Sequence, residues 1–275
     1  MIGVFDSGSG GLTILKALTE RLPDQDFLYL GDHGNAPYGH RSNEQIVDFT
    51  KAGVAHLMTA GCSLVILACN TAAAVALRSL QENWLPKHHP ENRILGVLVP
   101  MVEAITGVPW SQIDGATKQS TERILLLATK KTVASGAYEE EISKRAPHVE
   151  LIQKACPGLV DAIEGGAGHA PLSGMVEGYI SEINTENVSR AVLGCTHFPL
   201  VENHFKTALG KNISILSQPD IVADALADYL RRHKYFNVSG TGRVTFLTTG
   251  NASTVNAVSG RLVGQELNFS TVDIS

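Results

Sequence analysis

The chain of 275 residues lacks any concentrated block of basic residues: 22 Lys and Arg stand against 27 Asp and Glu, a formal net charge of -5. A reader of phosphate backbones needs a clustered Lys/Arg footprint, so nucleic acid is not the expected partner. No apolar run approaches the roughly 18 residues that span a bilayer. Runs such as Leu64-Val65-Ile66-Leu67-Ala68 end quickly in polar residues, and no membrane role is expected. The opening Met1-Ile2-Gly3-Val4-Phe5-Asp6 has neither the basic nor the long apolar part of a secretory leader, which predicts a cytoplasmic chain. Cysteine is scarce. Cys62, Cys69, Cys156 and Cys195 form no C-x-x-C pair and no disulfide framework, so each is read as a thiol. What is present is apolar residue enough, 44% of the chain, for a substantial core.

Short apolar runs alternate with helical patterns, and each run ends in small or polar residues, as parallel strands feeding helices do. Ile2–Phe5 leads into Asp6-Ser7-Gly8-Ser9-Gly10-Gly11, Phe27–Leu30 into Gly31-Asp32, and Leu64–Ala68 into Cys69-Asn70-Thr71. The pattern restarts at Ile124–Ala128, before Thr129, and again at Ala191–Gly194, before Cys195-Thr196-His197. Asp6 to Thr129 and Cys69 to Cys195 are nearly equal offsets, which points to a duplication. The prediction is an α/β protein of two similar three-layer parallel-sheet lobes related by pseudo-symmetry, with a cleft between them. The expected first lobe is discontinuous, residues 1–97 and 209–275, and the second covers 98–208. Loops are predicted at Trp84–Arg93 and Gly107–Glu122, the latter as a crossing between lobes, with the return near Leu209–Asn212. A helix over Asp220–Lys234 and a strand over Arg243–Thr248 complete the first lobe.

Ligands of parallel α/β sheets bind outside the carboxyl ends of the strands. Cys69 and Cys195 both occupy such ends, each followed by amide, hydroxyl or imidazole side chains. A thiol at a helix N-terminus is predicted to have a lowered pKa. Two lobes facing across a cleft would present the cysteines to one ligand from opposite sides. One thiolate then removes a proton from carbon while the other thiol delivers one to the opposite face, inverting a stereocentre by general acid–base chemistry. Cys62 and Cys156 lack such polar company and are read as packing residues, and His88-His89 as solvated surface.

Asp6-Ser7-Gly8, Gly31-Asp32, Pro37-Tyr38-Gly39, Ala68-Cys69-Asn70-Thr71 and Gly194-Cys195-Thr196-His197-Phe198-Pro199, in this order, resemble the motifs of the glutamate racemases of the aspartate/glutamate racemase superfamily. The resemblance runs from end to end. It implies a cofactor-independent isomerase that interconverts L- and D-glutamate, supplies D-glutamate for peptidoglycan, binds no metal, and forms a homodimer. It also implies roles for particular residues. Cys69 and Cys195 would be the acid/base thiols, acting on D- and L-glutamate respectively, with Asp6 assisting Cys69 and His197 and Glu164 assisting Cys195. Asp6, Ser7, Tyr38, Gly39, Asn70, Thr71, Thr196 and His197 would hold the substrate, and Asp32 would add to the polar surroundings.

Other chemistries use some of these residues. A thiol hydrolase would need only one cysteine, a zinc enzyme would need ligand spacings the chain lacks, and an amino-acid binding protein could be built on the same cleft. A racemase of aspartate or another amino acid is the nearest alternative; His197 stands where aspartate racemases usually carry Glu. The chain departs from the commonest glutamate racemase pattern at His33, where Thr is usual, at Val99-Pro100-Met101, and more mildly at Ser9. Its 84–90 and 107–119 segments are also longer than in compact members.

Overall fold

The computed structural model describes residues 1–109, 121–236 and 240–274. From the N-terminus come β1 (Ile2–Asp6), α1 (Leu12–Arg21), β2 (Phe27–Gly31), α2 (Asn43–Thr59), β3 (Leu64–Leu67) and α3 (Asn70–Ser79). A π-helical turn at Leu80–Trp84 joins α3 to α4 (Leu85–His88), and β4 (Arg93–Gly96) follows. Next are α5 (Leu98–Thr106), β5 (Glu122–Ala128), α6 (Lys130–Ala134), α7 (Ala137–Arg145), β6 (Val149–Ala155), α8 (Leu159–Glu164), α9 (His169–Ser181) and β7 (Val188–Gly194). The chain closes with α10 (Glu202–Leu209), β8 (Ser214–Leu216), α11 (Gln218–Arg232), β9 (Val244–Thr248), α12 (Ala252–Val263) and β10 (Phe269–Thr271).

Two parallel sheets result, ordered β10-β9-β2-β1-β3-β4 and β6-β5-β7-β8. The block β2-β1-β3-β4 has the same order as β6-β5-β7-β8, so the predicted two-lobed α/β architecture is present, with β1 matching β5 and β3 matching β7. Alternation along each strand builds both faces of each sheet, because successive side chains point to opposite sides. Val4, Tyr29 and Ile66 join one core of the first sheet, and Phe5, Leu28, Leu30 and Val65 the other. In the second sheet, Leu125, Leu127 and Leu193 pack on one side and Ile124, Leu126 and Val192 on the other, where α5 covers them. Burial on both faces explains why these strands read as continuous apolar runs.

Two sequence expectations are corrected. The return from the second sheet was expected near 209–212, but Ser214–Leu216 pairs with β7, so the chain crosses back only at the entrance to α11. Three residues are too short a run to stand out by periodicity. The Trp84–Arg93 loop is also shorter than expected, since the π turn carries helix onward to His88. His88 and His89 pack their rings on Trp84 there, at centroid distances of 5.4 and 5.3 Å. Most of the predicted 107–122 crossing lies outside the described residues.

Candidate active site

The carboxyl ends of β1 and β3 face those of β5 and β7 across one cavity, lined by Ser7, Tyr38, Gly39, Cys69, Asn70, Thr71, Cys195, Thr196 and His197. Both candidate thiols therefore open into the same space while remaining largely buried, Cys69 at 6% and Cys195 at 5% exposure. Gly10 permits the lobes to approach here. A Cβ at that position would lie 2.4 Å from both His197 Nδ1 and Thr196 Oγ1, and Thr13 Oγ1 donates to the Thr196 carbonyl at 2.9 Å.

Cys69 is the N-cap of α3, its sulfur accepting from the Ala72 N–H at 3.4 Å and lying 3.2 Å from Ser7 Oγ. The helix terminus was expected to lower its pKa. Burial outweighs it, the negative charge of Asp6 adds to the rise, and the thiol is pushed up to about 12. Asp6 is itself wholly buried. Its Oδ1 accepts from the Gly8 N–H at 2.8 Å, while Oδ2 has no hydrogen-bond partner among the described residues. Burial raises the Asp6 carboxyl above its ordinary 3.8, in spite of His197 and two backbone N–H groups.

The Cys195 side is built differently. After β7 the chain enters a short 3-10 turn, Phe198–Val201, and α10 starts only at Glu202, so no α-helix begins at this cysteine. Its partner is a histidine. Burial disfavours the His197 imidazolium, but hydrogen bonds to Cys195 and Glu164 together with their charges overcome this and raise its pKa to about 10. Glu164, at the end of α8, reaches His197 Nε2 with Oε1 at 2.8 Å. Its own carboxyl stays below the ordinary 4.5: burial works against that, and His197 outweighs it.

Other predicted residues occupy less direct places. The Asn70 side chain forms an amide pair with Gln218, Nδ2 to Oε1 at 2.6 Å and Gln218 Nε2 to Asn70 Oδ1 at 2.9 Å, with Tyr138 OH donating to Oδ1 at 3.1 Å. Tyr38 lines the cavity, but its hydroxyl donates to Asp32 Oδ2 at 2.7 Å. Asp32, fully buried, also accepts from Asn35 and from Thr249 Oγ1, so it anchors loops beneath the site. Thr71 Oγ1 meets the hydroxyls of Thr129 and Thr132 at 3.1 and 3.3 Å.

Sequence reasoning missed Thr129, Lys130 and Asp161, which also line the cavity, and read Cys156 as packing although it lines the cavity too while 2% exposed. The offset that aligned Asp6 with Thr129 was the available signal for the first of these. Among the described residues, no three His, Cys, Asp or Glu side chains converge as metal ligands, and no helix is long and apolar enough to cross a membrane.

The sequence profile of the Asp/Glu/hydantoin racemases matches residues 2–226. A glutamate racemase of Phenylobacterium zucineum is 44% identical over 278 aligned positions, covering 98% of each chain. The chain belongs to the glutamate racemases of this family. Among solved glutamate racemases, RacE1 of Bacillus anthracis superimposes with a TM-score of 0.87 at 29% identity, over 99% of this chain and 97% of that one. The enzyme of Francisella tularensis, solved in complex with D-glutamate, gives 0.85 at 27% identity, over 100% and 97%. Glutamate racemases thus share both lobes of this chain and not only the cleft.

Proposed function

We propose that Cys69 and Cys195 interconvert L- and D-glutamate by transferring protons on opposite faces of the α-carbon, without an organic cofactor. The observation that carries this reading is one cavity receiving both thiols from β3 and β7, the matching strands of two sheets. From L to D, the Cys195 thiolate takes the α-proton, and the C–H electron pair passes into the carbanion. Cys69 then gives its S–H proton to the opposite face, ending as thiolate while Cys195 ends as thiol. The reverse direction exchanges the roles. Atoms and charge balance within the pair.

The surroundings support this division of labour. Cys69, with its thiol pushed up to about 12, rests as the proton donor, while His197 holds a proton beside Cys195. Asp6 assists Cys69, and Glu164 acts on Cys195 through His197. Ser7, Thr71, Thr196 and the backbones of Gly39 and Asn70 hold the ammonium and carboxylates. Glutamate as the ligand is supported by the D-glutamate complex of the Francisella tularensis relative. The reading extends to a cytoplasmic homodimer that supplies D-glutamate for peptidoglycan, which cell fractionation and light scattering test.

Incubation with L-glutamate or L-aspartate in heavy water tests the reaction. Loss of optical activity with loss of the α-proton signal on glutamate is the expected result. Exchange confined to aspartate, or no exchange with either, would refute the assignment.

A further inference from the structure

The fold brings His33, after β2, against Ser9, after β1: His33 Nε2 lies 3.0 Å from Ser9 Oγ. Ser9 is 2% exposed and Ser259 is wholly buried, and their hydroxyl oxygens are 2.8 Å apart. On the other side of the ring, Nδ1 lies 3.1 Å from the Gly31 carbonyl and 2.9 Å from Thr248 Oγ1. A carbonyl only accepts, so Nδ1 carries the ring proton and Nε2 is bare. The Ser9 hydroxyl therefore donates to His33, and the Ser259 hydroxyl donates to Ser9. Burial pulls the imidazole below its ordinary 6.5 and keeps it neutral, although Glu164, Asp6 and Asp32 pull the other way.

This chain of bonds ties β2, β9 and α12 to the loop that leaves β1. That loop touches both proton-transfer centres. Ser7 contacts the Cys69 sulfur, Gly8 lies against the Glu164 carboxylate, where a Cβ would come within 3.2 Å of Oε1, and Gly10 packs under His197. We propose that His33 is a positioning residue for racemisation: through Ser9 it fixes the loop that sets Ser7 against Cys69 and packs against Glu164 and His197. His33 and Ser9 are halves of one contact, and Ser259 completes it.

The inference rests on the racemase reading, and the test separates the two. If the unaltered protein does not racemise glutamate, that reading falls, while the ring-nitrogen spectrum below still tests the brace. His33→Leu is expected to lower kcat about tenfold or more in both directions with KM within about threefold, since small misplacements of catalytic groups cost rate steeply. Ser9→Ala, a smaller change that keeps the fold if His33→Leu does not, is expected to give a similar loss. The double variant should be no worse than the poorer single one, because both remove the same contact. His33→Gln, whose amide oxygen can accept from Ser9, should restore most of kcat. The nitrogen NMR spectrum of the unaltered protein should show His33 neutral with Nδ1 protonated. An unchanged kcat in Ser9→Ala, additive losses in the double variant, or a His33 ring protonated on Nε2 at neutral pH would overturn the proposal.

Discussion

Glu164 Oε1 lies 2.8 Å from His197 Nε2, joining the end of α8 to the turn that follows β7 behind Cys195. His197 is buried and Glu164 half-buried, its side chain 29% exposed, and each holds the other in its charged form against the opposing effect of burial. The consequence is a proton kept beside Cys195 far above the pH at which a free histidine would lose it.

Glu164→Gln removes the charge of that pair. Because the His197 pKa is raised, the stability it contributes is fully present below about 6.5 and is lost as pH rises through about 10. Between those values the unaltered protein should lose stability more steeply than Glu164→Gln. The alkaline limb of kcat/KM should move to lower pH by about one unit or more in both directions, the usual size of a neighbouring-charge effect. Thermal melts and rate profiles from pH 6 to 10.5 check both. An unmoved limb contradicts the coupling.

Asp6 gives the same sign in a more acidic range. Its carboxyl is raised above 3.8 by burial, so the folded state binds the proton more tightly and loses stability as pH rises from the ordinary value through the folded one. Asp6→Asn eliminates that loss. The variant should gain in relative melting temperature between pH 4 and pH 8, while kcat falls at least about tenfold because Cys69 loses its assisting carboxyl. A relative gain at pH 4 and not at pH 8 would refute the burial argument.

The Asn70–Gln218–Tyr138 cluster links α3, α11 and α7 one residue from Cys69. Gln218→Leu leaves the Asn70 amide and the Tyr138 hydroxyl short of a partner, at about 1–3 kcal/mol for a buried unsatisfied group. For a chain of this size, a melting temperature lower by about 2–4 °C per kcal/mol follows. Calorimetry showing no change would mean that water or a rearranged side chain replaces the glutamine.

Both lobes were legible because buried parallel strands leave short apolar runs closed by polar clusters, as at Leu64–Ala68 before Cys69. Strand β8 was not, since three residues carry no period. The cysteine pair was visible from nearly equal offsets and the flanking motifs. Its electrostatics were not: the helix N-terminus at Cys69 is plain in the sequence, whereas the depth of burial and the facing Asp6 that outweigh it exist only in three dimensions. The side-chain bond of Asn70 was not legible for the same reason. Its partner Gln218 is 148 positions away, and no local pattern announces it.

The two-thiol account is tested most directly by Cys69→Ser and Cys195→Ser, assayed with L- and D-glutamate in heavy water alongside circular dichroism to confirm the fold. A hydroxyl is a far weaker acid and base than a thiol, so racemisation should fall by about 10²–10⁴-fold or more in each variant, the span expected for a positioned acid or base. Full racemase activity in either folded variant would contradict the account.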